Sequence, residues 1–169
     1  MLLYVGIWLG FAATPATCEA RCPCTVPPGV DWHSAQAMVP RERSAADAIF
    51  LGRVIAIDTT RWRTLVWPPD GLGRSRVTRY PDVVRYTLAV SQRWKGQVAR
   101  RVLVEVEAFG TTCGRTLDPD MTYLIYAGVA RASDGTRAGF RIGSCSRVRR
   151  AEEIEADVRL LGRGEPPTR

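Results

Sequence analysis

The stretch Ile49-Phe50-Leu51-Gly52-Arg53-Val54-Ile55-Ala56-Ile57 decides the fold. It lies in a nearly continuous apolar run over residues 48–58, rich in β-branched side chains and too short for an independent helix, so it predicts a strand. Gly52 in its middle predicts a bulge or a sharp coil. Outward from it, residues 82–93 alternate, with Val84, Tyr86, Leu88 and Val90 on one face and Arg85, Thr87, Ser91 and Arg93 on the other. Trp94-Lys95-Gly96-Gln97 supplies a turn, and residues 100–108 alternate again, Val102, Val104 and Val106 against Glu105 and Glu107. The two strands predict a hairpin.

Residues 122–130, with Tyr123-Leu124-Ile125-Tyr126-Ala127-Gly128-Val129, predict a fourth strand apolar on both faces, bracketed by the turns Asp118-Pro119-Asp120 and Asp134-Gly135. Residues 139–142 predict a short fifth. Ala151, Ile154, Val158 and Leu161 then fall on one helical stripe, with Glu152, Glu153 and Glu155 in the first turn, Arg159 in the last and Gly162 as the stop. Residues 164–169 read as a frayed tail. Residues 59–81, with Trp62, Trp67, Pro68-Pro69, Gly71 and Gly73, hold no sustained period and read as a long loop with room for a hairpin of its own. No internal repeat is present. Five short strands, one coiled at a glycine, and a terminal helix predict a mainly β fold, a five-stranded OB-type Greek-key barrel with a C-terminal α-helix. A β-sandwich is the alternative.

The chain has 169 residues, 46% hydrophobic and 24% charged, which is too apolar for disorder and enough for one core. No apolar run approaches the roughly 20 residues that span a bilayer. The single histidine, His33, disfavours most zinc enzymes and most Ser-His or Cys-His nucleophilic schemes, and beside Trp32 and Ser34 it has no evident second ligand. The formal charge is +7, and Lys95 is the only lysine among 24 basic residues. Such a charge does not by itself name a partner.

Residues 1–13 are apolar, and Cys18-Glu19-Ala20 places small residues where signal peptidase reads, so residues 1–20 predict an export signal and residues 21–169 the exported domain. The n-region lacks Lys and Arg, and the competing reading is a buried N-terminal strand. Cys18 follows Pro15-Ala16-Thr17, a poor lipoprotein box, which makes lipid anchoring the weaker alternative to a secreted or periplasmic protein. Cys22, Cys24, Cys113 and Cys145 remain, an even set in an oxidising compartment. A Cys22–Cys24 bridge would close a small strained ring, leaving two long-range arrangements. Each bridge is worth roughly 3 to 5 kcal/mol in the chain-entropy model. A four-thiolate zinc site is the rival, but the spacing matches no common ribbon or finger.

Taken together, Cys22-Pro23-Cys24 after the signal, Phe50-Leu51-Gly52-Arg53-Val54, Trp94-Lys95-Gly96, Cys113-Gly114, Tyr123-Leu124-Ile125-Tyr126-Ala127 and Cys145-Ser146-Arg147 before a helix ending Leu161-Gly162 resemble one family. It is that of the tissue inhibitors of metalloproteinases (TIMPs) and the wider netrin-like modules, including bacterial relatives. The resemblance covers nearly the whole exported chain. It implies an OB barrel with the N-terminal Cys-x-Cys pinned to its surface, Cys22 paired with Cys113 and Cys24 with Cys145. It further implies that the α-amino group and carbonyl of the first cysteine chelate the catalytic zinc of a metalloprotease, with Arg21, Cys22, Pro23, Cys24 and Thr25 forming the contact edge. Cleavage after Ala20 leaves Arg21 ahead of Cys22 and turns that amine into a peptide nitrogen, which does not ligate zinc at neutral pH. The further cysteine-rich region of the animal inhibitors is not in this chain.

Arg100, Arg101, Arg141, Arg147, Arg149 and Arg150 form a candidate basic face for an anionic glycan or an envelope surface; nucleic acid is disfavoured for an exported protein. The blander reading is a solvated arginine-rich surface. Glu105 and Glu107 share one side of a strand, which suits a polar outer face better than paired acid-base catalysis. Trp62 and Trp67 are either partner anchors or barrel plugs. The sequence thus predicts an exported binding module, not an enzyme, with no cofactor and no metal of its own. Its expected partner is an extracellular or periplasmic protein, a zinc metalloprotease first, with the anionic surface as the alternative.

Overall fold

The computed structural model describes Asp31 and residues 34–66, 71–107, 116–143 and 145–168. The export signal, residues 21–25, His33, Trp67, Cys18, Cys22, Cys24 and Cys113 lie outside the described residues. The elements run α1 (Ala35–Ala45), β1 (Ala48–Val66), β2 (Val77–Lys95), β3 (Arg101–Glu107), β4 (Thr122–Arg131), β5 (Arg137–Ile142), β6 (Val148–Arg150), a 3-10 turn (Ala151–Glu153) and α2 (Glu155–Leu161). The sheet order is β1-β2-β3-β5-β4-β6, and β1 also pairs with β4, closing five strands into a barrel. Every pairing is antiparallel except β3 with β5. This is the OB-type barrel that the sequence predicts.

Closure depends on β1 pairing on both edges at once, with β2 and with residues 122–127 of β4. A strand so placed must coil, and its register against β2 shifts between Leu51 and Gly52. A Cβ at Gly52 would lie 3.3 Å from both Cβ and Cδ2 of Leu88, so only the bare backbone fits comfortably there.

Two cores explain the strand patterns. Phe50, Val54, Tyr86, Leu88, Val104, Ile125 and Phe140 fill the barrel, where the rings of Phe50 and Phe140 meet at 5.4 Å. Ile49, Leu124 and Tyr126 point the other way, into a second core with Val39, Ile154 and Leu161 from the helices. The barrel core and the helices thus cover opposite faces of residues 48–51 of β1 and 123–127 of β4, which is why those stretches are continuously apolar, while β2 and β3 alternate because their outer faces meet water.

Several expectations are corrected. Residues 59–66 and 77–81 are not an irregular loop: the hairpin for which the sequence left room is a continuation of β1 and β2, a long two-stranded arm beyond the barrel. The final helix does not start at Ala151: a 3-10 turn precedes α2, which begins only at Glu155. The C-terminal tail is not frayed through residue 168, because Arg93 and Glu165 exchange backbone hydrogen bonds and Thr168 N–H donates to Val98 O. Helix α1 and strand β6 are additions.

The Trp94-Lys95-Gly96 corner clasps these parts together. Trp94 Nε1 donates to Gly162 O at 2.8 Å, at the end of α2, and Lys95 Nζ donates to Arg43 O and Ser44 O at 2.7 and 3.2 Å, at the end of α1. Gly96 turns between them with φ 80°, and a Cβ there would collide with the Asp47 carbonyl oxygen. Gly96→Ala should therefore cost about 2 to 3 kcal/mol, read as a lower urea midpoint with an unchanged m-value.

Candidate functional site

The contact edge, residues 21–25, lies outside the described residues; of the cysteines expected to anchor it, the described one is Cys145, on the corner that follows β5. Ser146 N–H donates to Gly143 O, Gly143 N–H donates to Ser146 Oγ at 3.0 Å, and Cys145 projects, exposed, from the turn between them. Cys145 is disulfide-bonded, and the cysteine it joins lies outside the described residues. Beyond the corner, β6 pairs with residues 123–125 of β4 and is the last strand of the sheet.

Arg147 fixes this corner to the molecule. Its Nε and NH2 donate to Asp157 Oδ2 and Oδ1 at 2.7 and 2.8 Å, a two-pronged bond between groups that are both buried. Tyr126 Oη donates to the same Asp157 at 3.2 Å, and Tyr126 N–H donates to Arg147 O. The hydrogen bond to Asp157 pushes the Arg147 guanidinium up from its ordinary value. Burial, reinforced by the Asp157 charge, pushes the Tyr126 phenol well up.

A second set of bonds anchors the chain entering β4. Leu117 N–H donates to Tyr86 Oη, Asp118 N–H donates to Tyr123 Oη, and Arg150 NH2 lies 2.6 Å from Asp118 Oδ2. By register, Asp118 sits near the Arg150 end of β6 and Cys145 beyond the Val148 end. Asp118 and the Cys145 corner thus flank the same edge strand.

The candidate basic face is not assembled as one stripe. Arg147 is buried and belongs to the interior ion pair, not to a surface. Arg149 faces Glu153 at 3.6 Å, and Arg150 is engaged by Asp118 and Glu152. Arg100 and Arg101 are exposed where the chain enters β3. Arg141 lies elsewhere, on β5, where parallel pairing sets it beside Glu105.

A different grouping appears there, in a cleft of about 370 Å³ lined by Arg85, Arg131 and Arg141 around Glu105. Arg85 Nε donates to Glu105 Oε1 at 3.0 Å, and Arg141 NH2 is 3.9 Å from Oε2. Three guanidiniums and one carboxylate leave a net positive cleft. The sequence carried a signal for Arg85, on the polar face of its strand, but none for Arg131, the last residue of β4, which reaches the cleft through the pairing of β4 with β5. Among the described residues no group of three or more metal-ligating side chains occurs, and no helix is long and apolar enough to cross a membrane. Compared with known proteins, the chain matches no family model and no curated relative.

The buried pair is open to test. Asp157→Asn should destabilise by about 3 to 5 kcal/mol by leaving Arg147 buried without its counterion, whereas Arg147→Met with Asp157→Leu should recover most of that loss in denaturant titrations. Tyr126 adds a pH dependence. In the unfolded chain its phenol ionises near 10.0, while in the fold it holds its proton to higher pH. Its contribution is complete below that value and is lost as pH rises through it, so the alkaline decline in melting temperature should be shallower in Tyr126→Phe.

Proposed function

We propose that this chain is an exported, disulfide-stabilised binding module of the TIMP-like, netrin-like kind, acting by docking rather than by turnover. Its working edge is Arg21, Cys22, Pro23, Cys24 and Thr25, held to the barrel by Cys22–Cys113 and Cys24–Cys145 bridges, and its target is an extracellular zinc metalloprotease. The observation that carries the reading is the corner at Cys145: an exposed, disulfide-bonded cysteine on a turn locked by a buried ion pair, beside the sheet's edge strand. Such a mount suits presentation of a short segment in a fixed conformation, which lowers the entropy lost on binding. The OB-type closure supports the same reading.

The chemistry turns on one atom. A chain beginning at Cys22 offers a free amine and a carbonyl that together can displace the water on a protease's zinc; one beginning at Arg21 offers an amide instead. Protein prepared to start at Cys22 should inhibit a zinc metalloprotease stoichiometrically, and acetylating its amine or restoring Arg21 should abolish inhibition. Intact mass before and after reduction should show two bridges. Two bridges with no inhibition by the Cys22-started form would remove the protease as target and keep the module.

The arginine cleft favours a second reading, binding of an anionic glycan by Arg85, Arg131 and Arg141. Salt-sensitive retention on an anionic polysaccharide, lost in Arg85→Gln with Arg141→Gln, is its expected signature.

A further inference from the structure

Past the barrel, β1 and β2 have only each other. β4 covers β1 only over residues 48–53 and β3 covers β2 only over residues 83–89, yet the β1–β2 pairing continues out to Val66 and Val77. The arm projects roughly 25 to 30 Å at the usual strand rise. A two-stranded ribbon has no interior, so its faces stay wet unless something covers them.

This arm carries the wrong surface for water. Six of the seven exposed large hydrophobic side chains among the described residues belong to residues 55–77, Leu160 being the exception. Register puts Trp62 opposite Pro81, Thr64 opposite Arg79 and Val66 opposite Val77, so these share one face. Exposure grows outward, from 50% at Trp62 to 62% and 63% at Val66 and Val77 and 75% at Leu72. The Arg79 guanidinium lies 5.4 Å from the centre of the Trp62 ring. Residues 53–79 hold six arginines against two aspartates, a large share of the excess positive charge of the chain.

We propose that the arm is a membrane-docking hairpin whose occupant is an anionic lipid surface. Aliphatic side chains most exposed at the far end, a tryptophan behind them and arginines throughout suit shallow insertion into a bilayer. Val66, Leu72 and Val77 enter the acyl boundary, Trp62 sits at headgroup level, and Arg79 lies along the ring while its charge reaches phosphate. Charge complementarity selects anionic headgroups over neutral ones. The inference stands apart from the N-terminal edge and from the arginine cleft, since it uses residues of neither.

The test is sedimentation of the oxidised mature protein with phosphatidylcholine vesicles, with and without about 30% phosphatidylglycerol, an admixture that makes the surface strongly anionic. Partitioning should be at least about tenfold stronger on the anionic vesicles and should weaken with salt. Val66→Ser with Val77→Ser, and separately Arg79→Glu, should each reduce it about tenfold while leaving the thermal midpoint unchanged, because both sites are solvent-exposed. Equal binding to neutral vesicles, or binding that survives both arm variants and disappears in Arg85→Gln with Arg141→Gln, overturns the proposal. So does retention on heparin that Arg79→Glu abolishes with no vesicle binding at all, which would make the occupant a soluble polyanion.

Discussion

A single buried ion pair governs how the outer parts of this molecule are arranged. Arg147 leaves the β5–β6 corner and meets Asp157 on α2, with Tyr126 of β4 completing the carboxylate's bonding. Two opposite charges withdrawn from water are tolerable only when each satisfies the other with good geometry, and here both prongs of the guanidinium are used. The cost of any other arrangement is what fixes the helix, the corner and the edge strand relative to one another. An apolar contact at the same place could slide; a two-pronged ionic bond cannot.

Around that pair the barrel imposes a simpler constraint. β1 must turn far enough to hydrogen-bond with β2 and β4 at once, and the coil at Gly52 against Leu88 is where it does so. Parallel pairing of β3 with β5 completes the ring and sets Glu105 beside Arg141. The arginine cleft is therefore a product of topology: no short stretch of chain contains it.

What could be read in the sequence follows from which forces leave a periodic trace. Strands with one wet face, such as β2 and β3, alternate visibly; β4 shows a continuous run because helices cover its outer side. The arm was legible only as a loop with room for a hairpin, not as a continuation of β1 and β2, because register shifts near Asp58 and Arg61 break the period, Pro81 is an unusual strand residue, and no core imposes a pattern on a free ribbon. Helix α1 hides behind Pro40 and only three buried side chains. The tail is held by backbone bonds to Arg93 and by the Arg93 guanidinium on Pro166 O and the Glu165 carboxylate, partners so distant in sequence that they leave no periodic trace. Arg147 looked like its neighbours because its counterion lies ten residues away, in an acidic run that reads equally well as helix N-terminal charge. The cysteine framework was legible as composition, and of it the described residues contain Cys145.

The corner at Trp94 and Lys95 has a mechanical consequence. Both helices end on hydrogen bonds to adjacent residues of one strand, and the tail pairs with the residue just before them. Neither helix can detach without loosening the same stretch of β2, so slow amide exchange in α1, α2 and the tail should belong to one cooperative unit with the barrel. The arm shares none of those bonds. Its strands hold only each other, so their opening costs the barrel and the Cys145 corner no bond of their own.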